Sequence, residues 1–214
     1  MDVKSVFLNG VLEEEVYIEK PDGFIIHEDE KKVCILKKAL YGLKQAPRAW
    51  YSRLDQYLKN LGFQRGGVDY NLYFNNKSNQ RMMMMVYVDD IIFGRSDEAQ
   101  CKQFSEFMKY EFKTSMIGEM TFFLGLQVTQ GRYDSFISQS KYAKEVLRRF
   151  GIENSKEMKT LVATQMELSK DEDGKTVNIT EYRQLVGCFL YLMTTRPKIV
   201  FTTSQVVRYQ SIPK

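Results

Sequence analysis

An apolar run from Met82 to Val88, four methionines, two valines and a tyrosine, ends abruptly in two adjacent carboxylates, Asp89 and Asp90, and resumes as Ile91-Ile92-Phe93-Gly94. An unbroken apolar run of this length predicts a strand buried on both faces, with Ile91 to Phe93 as its return partner. The Asp pair is the only polar break, so the simplest folding is a hairpin with both acids at its tip.

Helical spacing appears on either side. From 47 to 61, Trp50, Leu54, Tyr57, Leu58 and Leu61 fall on one face, and Pro47 sits near the first turn, where proline is tolerated. Ser96-Asp97 is a capping signal for a helix running to about Phe112, with Cys101, Phe104, Met108 and Phe112 on one side. Further helices are expected at about Lys141 to Phe150, Tyr182 to Met193 and Ile199 to Tyr209. Short strands are expected at Asp2 to Leu8, closed by the turn signal Asn9-Gly10, and at Val16 to Ile18, ended by Pro21-Asp22-Gly23. Others are expected at Val33 to Leu36, Tyr70 to Phe74 and Phe122 to Val128, the last pairing with Ser135 to Ser138. Asn75 to Asn79 reads as a polar turn, and Glu153 to Ile179 as a long surface loop. The class is mixed, α+β, without an internal repeat.

Composition narrows the chemistry. With 214 residues, 43% of them hydrophobic, the chain can bury a core as one large domain or two smaller ones. No apolar run approaches the roughly 20 residues needed to span a bilayer, and Met1-Asp2-Val3-Lys4 is not the start of a signal peptide. Cys34, Cys101 and Cys188 are far apart and odd in number, which fits a reducing, intracellular compartment better than a disulfide framework or zinc site. His27 is the one histidine; it lies among Glu28, Asp29 and Glu30 and is expected on an exposed loop. A Ser-His-Asp hydrolase is therefore disfavoured.

Two clusters remain. Adjacent buried carboxylates repel each other, and a sequence accepts them most readily where a divalent metal sits between them; the competing reading of Asp89-Asp90 is a solvated turn. Between Lys37 and Arg65 there are seven basic residues against one acid, Asp55, an excess of +6 that exceeds the +4 of the whole chain. Tyr41, Trp50, Tyr51, Tyr57 and Phe63 are interleaved with them. Such a stretch can neutralise phosphates while rings pack on sugars or bases. The helical spacing here implies an apolar side in the core and a basic side toward a polyanion.

Three ordered segments carry a resemblance: Asp2-Val3-Lys4-Ser5-Val6-Phe7-Leu8-Asn9-Gly10, then Lys38 through Tyr51 (KALYGLKQAPRAWY), then Tyr87-Val88-Asp89-Asp90. With Phe123 to Val128, Thr195-Arg196-Pro197 and Arg208-Tyr209-Gln210, they resemble the reverse transcriptase of Ty1/copia-type LTR retrotransposons, particularly those of plants. The match runs nearly end to end.

The resemblance implies a palm-like antiparallel sheet packed on helices over residues 1–130, with remaining fingers-like elements, and a helical thumb- or connection-like part over 131–214. It implies Asp2, Asp89 and Asp90 as catalytic carboxylates holding two Mg²⁺ (or Mn²⁺) ions about 3.5–4 Å apart for nucleotidyl transfer to a primer 3′-hydroxyl. Phe7 matches the steric gate against a 2′-hydroxyl. Gln45, Ala46 and Pro47 match the segment facing the dNTP and template. Lys44, Arg48 and Arg53 are expected on nucleic acid, and Leu124-Gly125-Leu126 resembles the primer grip. Lys113 lies near the family's general-acid lysine. The implied partners are a primed RNA or DNA template, dNTPs and the rest of a Pol polyprotein, in the cytoplasm (a virus-like particle) or nucleus.

The departures shape a further expectation. The fingers segment that precedes the first aspartate in the family is not in the sequence, Thr160-Leu161 replaces Thr-Pro, and Pro197-Lys198 replaces Pro-Asp. The sequence is thus expected to be a polyprotein fragment, inactive or nearly so in isolation, with ribonuclease H and integrase outside it. The alternative is a catalytically dead remnant that binds nucleic acid or a partner. A palm-like nucleotide cyclase also uses carboxylates and two metals, but would need neither the basic-aromatic stretch nor a primer grip.

Overall fold

The computed structural model describes residues 1–24, 32–76, 81–94, 97–158, 160 and 173–214. His27 and its acidic neighbours, most of the expected 75–79 turn, Ser96 and much of the 153–179 loop lie outside the described residues. The chain divides into two compact units, Met1–Glu119 and Met120–Lys214. The division falls before residue 122, earlier than the expected boundary at 130. The reason is local: the strand Leu126–Gln130 pairs with Phe122–Phe123 on one side and Ser135–Ser138 on the other.

The first unit is built on an antiparallel sheet of six strands: β1 (Asp2–Val3), β4 (Gln64–Arg65), β5 (Leu72–Asn75), β6 (Met82–Tyr87), β7 (Asp90–Gly94) and β8 (Thr114–Ser115), in the order β4-β5-β6-β7-β1-β8. A separate two-stranded ribbon joins β2 (Tyr17–Ile18) to β3 (Cys34–Ile35). Helices α1 (Ala46–Asn60) and α2 (Glu98–Glu111) supply the other layer. Pro47 lies in the first turn of α1, and Asp97 caps α2 by accepting from the Ala99 N–H at 3.0 Å. The core joins Val3, Val6, Trp50, Leu54, Leu58, Tyr73, Met84, Val86, Ile91, Phe104, Met108 and Phe112. Both helical faces expected from the periodicity are thus in it, and Cys101 is half-buried.

The methionine run departs from expectation. It is not buried on both faces: Met82, Met84 and Val86 are in the core, whereas Met83, Met85 and Tyr87 face outward. Side chains alternate across a strand, and the helices cover one face of this sheet, so every second apolar residue stays exposed. The expected strand Asp2 to Leu8 is also cut short, since after Val3 the chain turns through Ser5 (φ 51°) into a 3-10 turn at Val6–Asn9. Gly10 follows, where a Cβ would stand 2.7 Å from the backbone nitrogen of Trp50; glycine lets this loop lie directly on α1.

The second unit carries a three-stranded antiparallel sheet, β9 (Phe122–Phe123), β10 (Leu126–Gln130) and β11 (Ser135–Ser138), and the helices α3 (Ser140–Arg149), α4 (Ile179–Leu192) and α5 (Val200–Val207). The apolar stretch read as one strand, Phe122 to Val128, is two strands joined by a turn at Leu124-Gly125, both with positive φ. Gln139 is fully buried; it donates to the Tyr191 carbonyl at 2.9 Å and accepts from the Thr195 hydroxyl at 2.8 Å. Tyr182 ties α4 to α5 through the Val206 carbonyl, 2.8 Å away. Among the described residues no helix is long and apolar enough to cross a membrane.

Candidate active site

The β6–β7 hairpin closes through Val88 and Asp89, with Tyr87 opposite Asp90. Strand β1 lies on the far side of β7, so Asp2 is opposite Asp90 on one side and Ser115 on the other. The Val3 N–H donates to the Asp89 carbonyl and the Ile91 N–H to the Met1 carbonyl, both at 2.9 Å. These bonds bracket Asp2 and Asp90, making them a non-hydrogen-bonded pair, the kind in which opposed side chains come closest. Val3 and Ile91 point into the core; by alternation Asp2 and Asp90 lie on the open face, in line with Tyr87.

The electrostatics follow. Burial first, then the charges of Asp89 and Asp2, raise the Asp90 carboxyl above the usual carboxylate range, with partial relief from the Met1 amino group. Negative charge here is under-compensated, and all-oxygen carboxylate donors suit a hard cation such as Mg²⁺ or Mn²⁺. In that sense the residues fit a divalent metal. Among the described residues, however, no group of three or more acidic, imidazole or thiol side chains stands assembled to hold one. Asp2 and Asp90 meet as a pair, and Asp89 is exposed in the turn beside them.

The other predicted residues are distributed as follows. Phe7 is half-buried in the 3-10 turn, edge-on to Tyr41 with centroids 4.9 Å apart. Gln45 precedes α1, Pro47 is exposed in its first turn, and Ala46 is buried. Lys113 is exposed directly before β8, its carbonyl accepting from the Lys4 N–H at 2.8 Å. Leu124, Gly125 and Leu126 form the β9–β10 turn of the second unit, where Tyr191 donates its hydroxyl to the Leu124 carbonyl.

Much of the basic stretch is structural. Arg53 is paired with Glu111, Lys59 with Asp55 at 2.7 Å, and the Arg65 guanidinium lies over the rings of Tyr51 and Tyr70 at 4.6 and 4.8 Å. Arg48 lines a shallow groove with Glu13, Glu14 and Gln45. Lys37, Lys38 and Lys44 are exposed.

The sequence placed Trp50 on the core face of its helix and among the rings interleaved with the basic stretch, and named no hydrogen-bond partner for it. Its indole N–H donates to the Val88 carbonyl at 2.8 Å, and Val88 has a left-handed backbone, φ 55°. The only advance signal was that a buried tryptophan needs an acceptor.

Comparison with known proteins agrees with the resemblance. Residues 1–164 match the family described as reverse transcriptase (RNA-dependent DNA polymerase). The chain is 34% identical over 213 residues to the retrovirus-related Pol polyprotein from transposon RE2 of Arabidopsis thaliana, covering 100% of this chain and 15% of that protein. It is 34% identical over 224 residues to the Pol polyprotein from transposon TNT 1-94 of Nicotiana tabacum, covering 100% and 17%. It is 28% identical over 216 residues to the transposon Ty5-1 protein of Saccharomyces cerevisiae, covering 100% and 70%. The chain thus spans about a seventh of the length of the plant polyprotein RE2. No solved structure matches it. On its sheet, its ordered motifs and these relatives, the chain belongs to the reverse transcriptase family of Ty1/copia-type transposon Pol polyproteins.

Proposed function

We propose that this chain serves RNA-directed DNA synthesis, moving a nucleotide from a dNTP to the 3′-hydroxyl of a primer on an RNA or DNA template. The observation that carries this reading is the Asp2–Asp90 pair on the open sheet face, one residue from Asp89. In it the Met1–Glu119 unit is the palm with fingers-like elements, and Met120–Lys214 the thumb- or connection-like part. The site of action is intracellular, alongside the other Pol polyprotein activities.

Asp2, Asp89 and Asp90 would hold two divalent cations, whose chemistry is to activate the primer hydroxyl and neutralise charge on the phosphates. The rest of the work is positioning and charge. Phe7, braced by Tyr41, bears on the sugar. Gln45 and Pro47 face the template side at the start of α1, while buried Ala46 anchors that end to the core. Lys44 and Arg48 meet phosphates, and the Leu124–Leu126 turn holds the primer end.

Primer extension on a primed RNA with Mg²⁺ and dNTPs tests the reading. Extension by the chain in isolation should be weak, and the double variant Asp89→Asn, Asp90→Asn should lower it further by more than ~100-fold, the upper end of what losing even an outer-sphere metal partner costs. A Phe7→Ala variant should admit ribonucleotides. A second reading, a binding remnant without catalysis, draws on the carboxylates standing as a pair rather than an assembled three. Salt-sensitive binding of primer-template with equally negligible extension by parent and double variant would decide for it.

A further inference from the structure

Val88 is poorly suited to its position. It is the first central residue of a two-residue hairpin turn and takes positive φ, 55°, while Asp89 does not. Glycine normally occupies that position, and for a β-branched residue a left-handed backbone is an outlier that persists only where its surroundings enforce it. Two bonds on consecutive carbonyls do so. The Val88 carbonyl accepts from the Trp50 indole at 2.8 Å, and the Asp89 carbonyl accepts from the Val3 N–H at 2.9 Å. Trp50 itself is immobilised: it is 1% exposed and its ring meets Phe112 edge-on at 5.2 Å.

We propose that Trp50 is a positioning residue for the aspartate turn, its N–H on the Val88 carbonyl holding the left-handed backbone that sets Asp89 in the turn and leads into Asp90 on the open face. The catalytic importance of that placement rests on the polymerase reading above; the hold on the turn does not. Trp50 reaches the carboxylates only through the backbone of Val88, so it orients them without touching a substrate. The Leu124 turn repeats the device: a non-glycine residue at φ 49° whose carbonyl accepts from the hydroxyl of Tyr191 on a helix.

The chain has a single tryptophan, so growth on a tryptophan analogue alters this position alone. Replacement by 3-benzothienylalanine substitutes sulfur for the ring N–H at nearly constant shape, and 4-fluorotryptophan, which keeps the N–H, is the control. In metal-free protein, amide exchange across residues 82–94 should quicken about tenfold with the sulfur analogue only, while α1 and α2 stay protected. Mn²⁺ affinity, followed by paramagnetic resonance, should fall about tenfold, and kcat for extension should fall with the dNTP KM within about twofold of the parent. Unchanged exchange at the turn, or loosening spread evenly through the first unit, would overturn the proposal. If the fully native chain extends no primer, the polymerase reading fails, and the exchange measurement still decides the role of Trp50.

Discussion

Arg53, on α1, is ion-paired with Glu111 at the end of α2, and its guanidinium lies 5.8 Å over the ring of Phe112. A cation so engaged clamps two helices and is poorly placed to neutralise a phosphate. Arg53→Ala should therefore cost stability, about 0.5–1 kcal/mol for a partly exposed pair, and leave primer-template affinity nearly unchanged. Lys44→Ala should do the reverse, lowering the slope of log affinity against log salt by about 1. Thermal unfolding and salt-dependent fluorescence anisotropy on both variants separate the two roles. A large affinity loss from Arg53→Ala would place that side chain on nucleic acid after all.

Asp90 should be destabilising when no cation is present. Its carboxyl titrates above its unfolded value of 3.8, through burial and then the charges of Asp89 and Asp2. The fold therefore holds the proton more tightly than the unfolded chain. Stability is lost as pH rises from the unfolded value through the raised one, and the penalty is complete at neutrality. Asp90→Asn should raise the metal-free melting temperature by ~1–2 °C, a few tenths of a kcal/mol after solvent screening. The gain should vanish when parent and variant are compared at the acid end of that window.

Asp55 has the opposite sign. Burial pushes its carboxyl up, but hydrogen bonds from Lys59 and Tyr73 and nearby cations outweigh it and hold the carboxyl below the unfolded 3.8. Its contribution is present above the unfolded value and lost as pH falls through the depressed one. Tyr73, raised by burial and then by its bonds to Tyr51 and Asp55, stays a phenol where an unfolded tyrosine ionises, at 10.0. Stability should thus fall as pH climbs past that value. Denaturant unfolding across pH should show both limbs, with Asp55→Asn flattening the acid one and Tyr73→Phe the alkaline one.

Gly125 takes φ 81°, and a Cβ there would stand 2.8 Å from the hydroxyl oxygen of Tyr191. Gly125→Ala should destabilise by about 1–3 kcal/mol through backbone strain and crowding. Tyr191→Phe removes the crowding oxygen together with its bond to Leu124. Each variant and the double variant, compared by denaturant unfolding, should show coupling between the two sites. Strict additivity would mean that the turn and the helix do not constrain each other.

How legible each element was depended on whether its cause was local. Helix α1 could be read because Trp50, Leu54 and Leu58 recur at helical spacing, and α2 because Asp97 announces its start. The Met82–Val88 strand was recognised but its outer face was not: methionine carries no mark of which side it faces, and only the helix layer on the other side decides. The pairing of Asp2 with Asp90 came from the family motif rather than from local signals, since register between strands 88 residues apart has none. The ion pair of Arg53 could not be read ahead because its partner, Glu111, is distant in sequence. Trp50 was counted as core because its apolar body was legible and its single polar atom was not.

The alternation of the methionine strand has a chemical consequence. Met83 and Met85 are 52% and 38% exposed beside Tyr87, whereas Met82 and Met84 are 4% and 1% exposed. Of the four methionines in this strand, a peroxide meets only the outer pair. Conversion of those thioethers to sulfoxides would turn an apolar floor into a polar one while the core beneath keeps its packing. The sheet would then register oxidative damage on the face that bears the aspartates, with its fold intact, and a methionine sulfoxide reductase could reverse it.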